Sequence, residues 1–208
     1  MAIKLKICGV TRPEDLAACI ELGVDAIGIN LWSGSRRGLS IEAAKRLLRE
    51  APATGGPERV GVFVNPTDEE VLRAHAELAL DLVQIISDAP VVTPSLPSMF
   101  VIRGTPALAD LAMPTPAPTR FLLDAAVPGY GGAGQTTDWS WARAAVQRLS
   151  PVAPVWLAGG ITPDNAGAAV LAVAPAGLDV ASGAEMPDAR RGEKDRTRIA
   201  ALLAACRA

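Results

Sequence analysis

The residues with the clearest chemical potential lie in the segment 154–165, PVWLAGGITPDN. An apolar run stops there at the paired glycines Gly159 and Gly160, and Thr162-Pro163-Asp164 then has the residue types that begin a helix. Glycines between a strand and a helix bring bare backbone N–H groups close to a ligand, and such donors bind phosphate well. Taken alone, the segment fits either a phosphate-binding loop or an ordinary strand-to-helix turn.

Two side chains that can carry a proton end other apolar runs. Cys8 closes IKLKIC immediately before Gly9, and Asp124 closes RFLLD. A thiol and a carboxyl group are both used for general acid–base chemistry. Cysteine is also among the most buried residue types, so Cys8 by itself could be an inert core thiol, and Asp124 could cap a loop. The choice depends on the elements that carry the two residues.

Those elements have the pattern of alternating strands and helices. Apolar runs typical of buried strands begin near residues 3, 26, 59, 82, 99, 120, 155 and 177. Because helical segments separate most of them, we predict a parallel sheet. Eight such units predict a single domain, residues 1–208, with the α/β fold of a closed (β/α)8 TIM barrel, and a doubly wound open sheet is the alternative. The predicted helices cover 11–23, 41–50, 67–80, 106–111, 140–149, a segment from Thr162 onwards, and 195–207.

One side of this barrel is expected to be irregular. The stretch 87–98, between the fourth and fifth strands, contains Pro90, Pro94 and Pro97. Proline in a helix interior removes a hydrogen bond and clashes with the preceding turn. We therefore predict an irregular or missing helix after the fourth strand.

The barrel fold turns the strands into a list of candidate residues, because its active sites lie at the C-terminal ends of the strands. Cys8 and Asp124 then lie at the same end, on opposite sides. The loops after the seventh and eighth strands, GGIT and ASGAE, are where this fold tends to hold phosphate. The remaining candidates at that end are Asn30 with the loop 35–37, Asn65, residues 86–88, Arg103, and residues 179–183, which include Asp179, Ser182 and Gly183.

Composition excludes several classes of function. The 208 residues carry 20 Lys and Arg against 22 Asp and Glu, a net charge of −2, which gives no general affinity for nucleic acid or an anionic membrane. No apolar run approaches the roughly 18 residues of a membrane span, and the first ten residues lack a signal-peptide core, so we expect a cytoplasmic protein. Cys8, Cys19 and Cys206 lack metal-ligand spacing, so neither a disulfide framework nor a zinc site is predicted.

The motifs, taken in order, resemble those of phosphoribosylanthranilate isomerases. The matching segments are KICGVT (6–11), SRRGLS (35–40), GVFVN (61–65), LVQ (82–84), LLDA followed by GYGGAGQTTDW, LAGGITPDN, DVASGAE, and G-E-KD (192–195). The resemblance implies a (β/α)8 barrel of tryptophan biosynthesis that acts on a small phosphorylated substrate without metal or organic cofactor. The implied reaction is the Amadori rearrangement of N-(5′-phosphoribosyl)anthranilate. We expect a monomer, with a dimer as the alternative.

The resemblance also implies a role for each candidate. Cys8 corresponds to the general base and Asp124 to the general acid. The acid needs a raised pKa to be partly protonated near neutral pH, and the base needs a pKa depressed by nearby positive charge. Arg37 would hold the anthranilate carboxylate, although it could instead be a solvated loop residue. Phosphate would be bound by Gly159, Gly160, Ser182 and Gly183, and Asp179 would line the site.

The chain departs from the family pattern at three places. Ile86 stands where a histidine is usual, the Pro-rich stretch 89–98 replaces the fourth helix, and Asn30-Leu31-Trp32 ends the second strand. One alternative is a sibling phosphosugar-barrel isomerase, but such enzymes use an aspartate where this chain has Cys8. Another is a barrel that binds phosphate without catalysis. Such a barrel would be free to lose the Cys8 and Asp124 pair, which is present here.

Overall fold

Eight parallel strands follow one another around a closed barrel, each hydrogen-bonded to its neighbours in chain order and the last to the first. The computed structural model describes residues 2–49, 51, 55–87, 96–111, 113–125, 136–186 and 192–208. The predicted (β/α)8 barrel is confirmed, and the open-sheet alternative is wrong. The strands are β1 (Lys4–Cys8), β2 (Ala26–Asn30), β3 (Glu58–Val64), β4 (Leu82–Ile86), β5 (Ser98–Arg103), β6 (Arg120–Asp124), β7 (Val155–Leu157) and β8 (Gly177–Val180).

Six α-helices surround this barrel in the described part of the chain. They are α1 (Pro13–Leu22), α2 (Ile41–Leu48), α3 (Asp68–Leu78), α4 (Trp139–Leu149), α5 (Ala166–Val173) and α6 (Arg196–Arg207). Between β4 and β5, the described residues 87, 96 and 97 are not helical, and residues 88–95 lie outside the description. The helix predicted over 106–111 is only a 3₁₀ turn, Leu108–Asp110. None of the described helices is long and apolar enough to cross a membrane.

The start of α5 differs from the prediction. Thr162 and Pro163 have the residue types of a helix start, but α5 begins at Ala166. The side chain of Asn165 accepts a hydrogen bond from the backbone N–H of Thr162 at 2.8 Å and donates one to the carbonyl oxygen of Gly160 at 2.9 Å. Because this amide bridges both ends of the segment 160–165, the segment is held as a turn before the helix begins.

The barrel interior changes from apolar to polar toward the C-terminal ends of the strands. Alternate residues of each strand point inward. The lower interior is filled by apolar side chains from one cluster: Ala26, Val60, Leu82, Met99, Leu122 and Trp156. Above it lie the buried polar side chains of Lys6, Gln84 and Asp179, which bond to one another. Because apolar side chains fill the lower interior, the buried polar side chains lie toward the end of the barrel where Cys8 and Asp124 lie.

Candidate active site

A buried ion pair crosses the polar part of the barrel interior. Lys6 of β1 has no exposed surface, and its Nζ lies 2.9 and 2.8 Å from the two carboxylate oxygens of Asp179 on β8. It also donates to Oε1 of Gln84 on β4 at 3.0 Å. Burial alone would lower the pKa of Lys6, but the charges of Asp179 and Cys8 raise it above its ordinary value. The ammonium is therefore charged and fixed in position.

The Cys8 thiol lies beside this ammonium. Cys8 follows Lys6 by two residues on β1, so both side chains point inward. A β-carbon placed on Gly28 of β2 would lie 2.9 Å from Sγ of Cys8 and 3.2 Å from Nζ of Lys6. Burial raises the pKa of the thiol. The positive charges of Lys6 and Lys194 lower this pKa, and the negative charge of Asp179 raises it further. The expected depressed pKa is thus wrong, because desolvation outweighs the positive charge that does surround the sulfur.

Asp124 ends β6 at the same end of the barrel, and its Oδ1 accepts the backbone N–H of Ala125 at 2.9 Å. Burial, and after it the negative charge of Asp179, raise the pKa of Asp124 to about 6, against the Ala125 hydrogen bond and the charges of Arg103 and Lys6. The prediction of a raised pKa is confirmed. Near pH 7 roughly a tenth of such a group is protonated, which is enough for a general acid.

Arg37 belongs to a cluster in which one carboxylate meets three cations. Its Nε donates to Oε1 of Glu185 at 2.5 Å, Arg36 donates to the other oxygen at 2.9 Å, and Nζ of Lys194 lies 3.3 Å from Oε1. Burial by itself would raise the pKa of Glu185, but the Arg37 hydrogen bond and the charges of Lys194, Arg37 and Arg36 hold it below its ordinary value. The cluster keeps an excess of positive charge.

The position of Arg37 is not that of a solvated loop residue. Only 6 % of its surface is exposed, and its side chain packs where a β-carbon of Gly9 would otherwise lie. Its Nη2 is buried and donates to no acceptor in the described part of the chain. The guanidinium is thus held by Glu185 at Nε, and its Nη2 remains available to donate a hydrogen bond to a further carboxylate.

The loops after β7 and β8 pack directly against each other. Gly159 and Gly160 have φ angles of +86° and +63°, which favour glycine, and a β-carbon on Gly183 would overlap the carbonyl oxygen of Ile161. Ser182 and Gly183 belong to a 3₁₀ turn. No hydrogen bond among the described residues uses the backbone N–H of Gly160 or Gly183. The two loops predicted to bind phosphate therefore lie in contact, and these two N–H groups have no acceptor among the described residues.

The remaining sequence candidates are more peripheral. Asn30 accepts the backbone N–H of Trp32 at 2.9 Å and so shapes its own loop. Asn65 adopts a φ of 46°, as turn residues do, and Ile86 is buried. Arg103 acts on the pKa of Asp124 through its charge. Asp88 and the glycine-rich loop 129–134 lie outside the described residues.

Four polar residues of the site had no role in the sequence prediction. Lys6, Gln84, Glu185 and Lys194 are all at least nine-tenths buried, and each bonds to another residue of the site. Each lies within a segment that carries the family motifs. A signal was available for Lys6, because a lysine inside the apolar run IKLKIC, two residues before Cys8, must point to the same side of its strand.

Comparison with known proteins decides the family. The model of the N-(5'-phosphoribosyl)anthranilate (PRA) isomerase family matches residues 5–205. The chain belongs to this family. It is 39 % identical over 219 residues to the N-(5'-phosphoribosyl)anthranilate isomerase of Thiobacillus denitrificans, with all of both chains covered. As a member of the family, the chain is an isomerase of the aldose–ketose type, in tryptophan biosynthesis.

Solved structures of phosphoribosylanthranilate isomerases share the fold. The structure of the enzyme from Thermus thermophilus is 34 % identical, covers 98 % of both chains and gives a TM-score of 0.80. Another isomerase structure, 26 % identical with a TM-score of 0.78 and 98 % of both chains covered, is a complex with reduced 1-(o-carboxyphenylamino)-1-deoxyribulose 5-phosphate. The likeness therefore extends over nearly the whole chain.

Proposed function

We propose that this chain converts N-(5′-phosphoribosyl)anthranilate to 1-(2-carboxyphenylamino)-1-deoxyribulose 5-phosphate, with Asp124 as general acid and Cys8 as general base. One observation carries the proposal. Two proton carriers end β1 and β6 at the same end of the barrel, and the pKa of Asp124 is raised to about 6. A sibling isomerase with an aspartate base is disfavoured because β1 ends in Cys8.

The first step needs a proton on the furanose ring oxygen. Protonated Asp124 donates it, the ring C–O bond breaks, and the nitrogen lone pair forms an iminium ion at C1′. A pKa of about 6 leaves part of Asp124 protonated at neutral pH. The carboxylate formed when the proton is transferred is a weak base, so the proton is given up readily. Burial of the carboxyl group is the main cause of this raised pKa.

The second step removes the proton on C2′. The Cys8 thiolate takes this proton. The C–H electron pair forms the C1′–C2′ double bond of the enolamine, and the C=N electron pair returns to the nitrogen, which becomes neutral. Tautomerisation of the enolamine then gives the ketone. The thiolate is the minor form at neutral pH because burial raises the pKa of Cys8. The ammonium groups of Lys6 and Lys194 favour it.

Substrate binding would use the two charged ends of the molecule. The buried Nη2 of Arg37, with Nε fixed on Glu185, would receive the anthranilate carboxylate. The N–H groups of Gly160 and Gly183, with Gly159 and Ser182 beside them, would bind the phosphate. We infer a small-molecule phosphorylated substrate as the only partner that catalysis requires, and cytoplasmic location stays a prediction.

The test is an isomerase assay on phosphoribosylanthranilate generated in situ, followed by the loss of its fluorescence. We expect turnover in the parent, and at least ~100-fold lower kcat in Cys8→Ser and in Asp124→Asn, as general acid–base contributions require. Asp110→Asn, an exposed carboxylate after β5, serves as the matched control and keeps its rate. A folded parent that binds a phosphorylated product analogue without turnover would instead identify a non-catalytic phosphate-binding barrel.

A further inference from the structure

We propose that Lys6 is a positioning residue whose ammonium, fixed by Asp179 and Gln84, holds positive charge against the sulfur of Cys8 and stabilises its thiolate. The proposal rests on the proposed function, in which Cys8 is the base. It concerns a group that is two residues before the thiol on the same strand and has no exposed surface.

The geometry gives Lys6 one dominant orientation. Both carboxylate oxygens of Asp179 lie within 2.9 Å of Nζ, and Oε1 of Gln84 lies at 3.0 Å. These partners come from β8 and β4, on different sides of the interior. An ammonium with acceptors on two sides cannot swing away from the strand end. Its remaining side faces Gly28. A β-carbon placed on Gly28 would lie 3.2 Å from Nζ of Lys6 and 2.9 Å from Sγ of Cys8, so the ammonium and the sulfur lie beside the same residue.

Stability alone gives little reason for this arrangement. A buried ion pair is often no more stabilising than apolar side chains of the same volume, because desolvation offsets the Coulomb attraction. The layer beneath it shows that this barrel can fill its interior with apolar residues such as Leu82, Met99 and Leu122. An ammonium placed beside a thiol that must ionise supplies a chemical reason for the pair.

The charged groups around the two proton carriers support an asymmetric effect. Cys8 is influenced by Lys6 from β1, by Asp179 from β8 and by Lys194 from the segment before α6, and among these Lys6 acts most strongly, to lower the pKa. On Asp124 the order is reversed, since Asp179 acts more strongly than Lys6 and raises the pKa. The pair thus favours the thiolate at one residue and the protonated acid at the other.

The decisive experiment replaces the whole pair, so that no buried charge is left uncompensated. In Lys6→Met/Asp179→Asn we expect iodoacetamide to alkylate Cys8 at least ~3-fold more slowly at pH 8, because alkylation slows by about threefold per pH unit of increase in the thiol pKa. The alkylation midpoint should move to higher pH. Cys19 and Cys206 are buried, and Cys8→Ser gives their background rate.

The matched control is Glu58→Gln/Arg120→Met, which removes an ion pair with N–O distances of 2.7 and 2.8 Å at the opposite end of the barrel. It should leave the alkylation profile of Cys8 unchanged. An unchanged profile in the folded Lys6→Met/Asp179→Asn protein would overturn the proposal. Alkylation is measured without turnover. The proposed role of Lys6 can therefore be disproved while the proposed isomerase reaction holds, and the reaction can be disproved while the role of Lys6 holds.

A second measurement does not depend on the folding of that variant. Coupling between two groups is reciprocal, so ionisation of Cys8 must be felt at Lys6. We expect the NMR signal of the Lys6 Cε, in protein with 13C-labelled lysine, to show a step at the pH where Cys8 ionises. The step should vanish in Cys8→Ser. A Lys6 signal that passes smoothly through that pH in the parent would also overturn the proposal.

The pH profile of the reaction adds a signature that a structural defect would not produce. In Lys6→Met/Asp179→Asn the thiol pKa rises and the acid pKa falls, so the two limbs of kcat/KM move apart while the plateau between them drops. The plateau should fall about tenfold for every pH unit of added separation. A uniform loss of rate with unmoved limbs would assign the pair a structural role only.

Discussion

Gly183 and the carbonyl oxygen of Ile161 are so close that a β-carbon on residue 183 would overlap that oxygen. The contact joins the turn after β8 to the loop after β7. Residue 183 must therefore be glycine for the two loops to lie side by side. This approach brings the turn that contains Gly183 next to the loop that contains Gly160.

The contact predicts the effect of a single methyl group. Gly183→Ala should push the two loops apart and raise KM for the phosphorylated substrate by at least ~10-fold with a smaller change in kcat, because binding rather than proton transfer is disturbed. Steady-state kinetics check this. Gly167→Ala is the control, since a β-carbon there meets nothing within 4 Å. Equal KM values in the two variants would remove these loops from substrate binding.

Arg37 should be more sensitive to a conservative change than its neighbour. Arg37→Lys keeps the charge but loses the fork that binds Glu185 at Nε and leaves Nη2 open. We expect KM to rise by at least ~10-fold. Arg36→Lys, at a third-exposed residue that contacts the same carboxylate, should change KM less. Comparable KM values for both variants would mean that Arg37 only fastens its loop.

The pH dependence of kcat/KM follows from the two pKa shifts. The active form has Cys8 ionised and Asp124 protonated. Below pH 6 the acid is protonated and the thiolate fraction grows tenfold per pH unit, so kcat/KM should rise with pH up to about 6. Above pH 6 the gain in thiolate is offset by loss of the protonated acid, and the profile should be flat until Cys8 ionises.

A profile recorded from pH 4.5 to 9 on the parent enzyme checks this order. A rate that falls steadily as pH rises through 6 to 8 would show that Cys8 is already ionised below pH 6, and that the raised thiol pKa is wrong. Asp110→Asn should reproduce the parent profile, because that carboxylate is exposed and lies outside the site.

Much of the architecture could be predicted from the sequence because it depends on local patterns. Eight apolar runs separated by helical segments predict the barrel, and the barrel places Cys8 and Asp124 at one end. The paired glycines 159 and 160 could be identified because they end an apolar run before a helix start, and their positive φ angles are ones that favour glycine. The start of α5 was misjudged because the Asn165 side chain competes with the helix for the backbone groups of the preceding turn.

The polar network could not be predicted, because its bonds join distant parts of the chain. Lys6 and Asp179 are 173 positions apart, and Arg37 and Glu185 are 148 apart. Closure of the barrel brings each pair together, and no local pattern reports which charges will meet. The pKa of Cys8 was misjudged for the same reason. The positive charge was foreseen, but the balance between charge and desolvation depends on how tightly β1, β2 and β8 pack.

The raised pKa of Asp124 also predicts a conflict between stability and activity. Its folded-state pKa of about 6 lies above the ordinary value, so folding favours the protonated form. As pH rises from about 4 to about 6, the unfolded chain ionises first, and the protein loses about 1–3 kcal/mol of stability that it does not regain at higher pH. Asp124→Asn cannot ionise and should escape this loss.

We therefore expect Asp124→Asn to melt several degrees above the parent at pH 7.5, at about 2–4 °C per kcal/mol for a chain of this size. The difference should shrink at pH 4.5, where Asp124 is protonated in the folded parent. Thermal unfolding at both pH values measures it, with Asp110→Asn as the control for removal of an exposed charge. If the difference in melting temperature between Asp124→Asn and the parent were the same at both pH values, its cause would be the packing of the new side chain and not the ionisation of Asp124. A difference that grows with pH, in a variant that has lost its turnover, would show that the same desolvation makes Asp124 a good acid and destabilises the barrel.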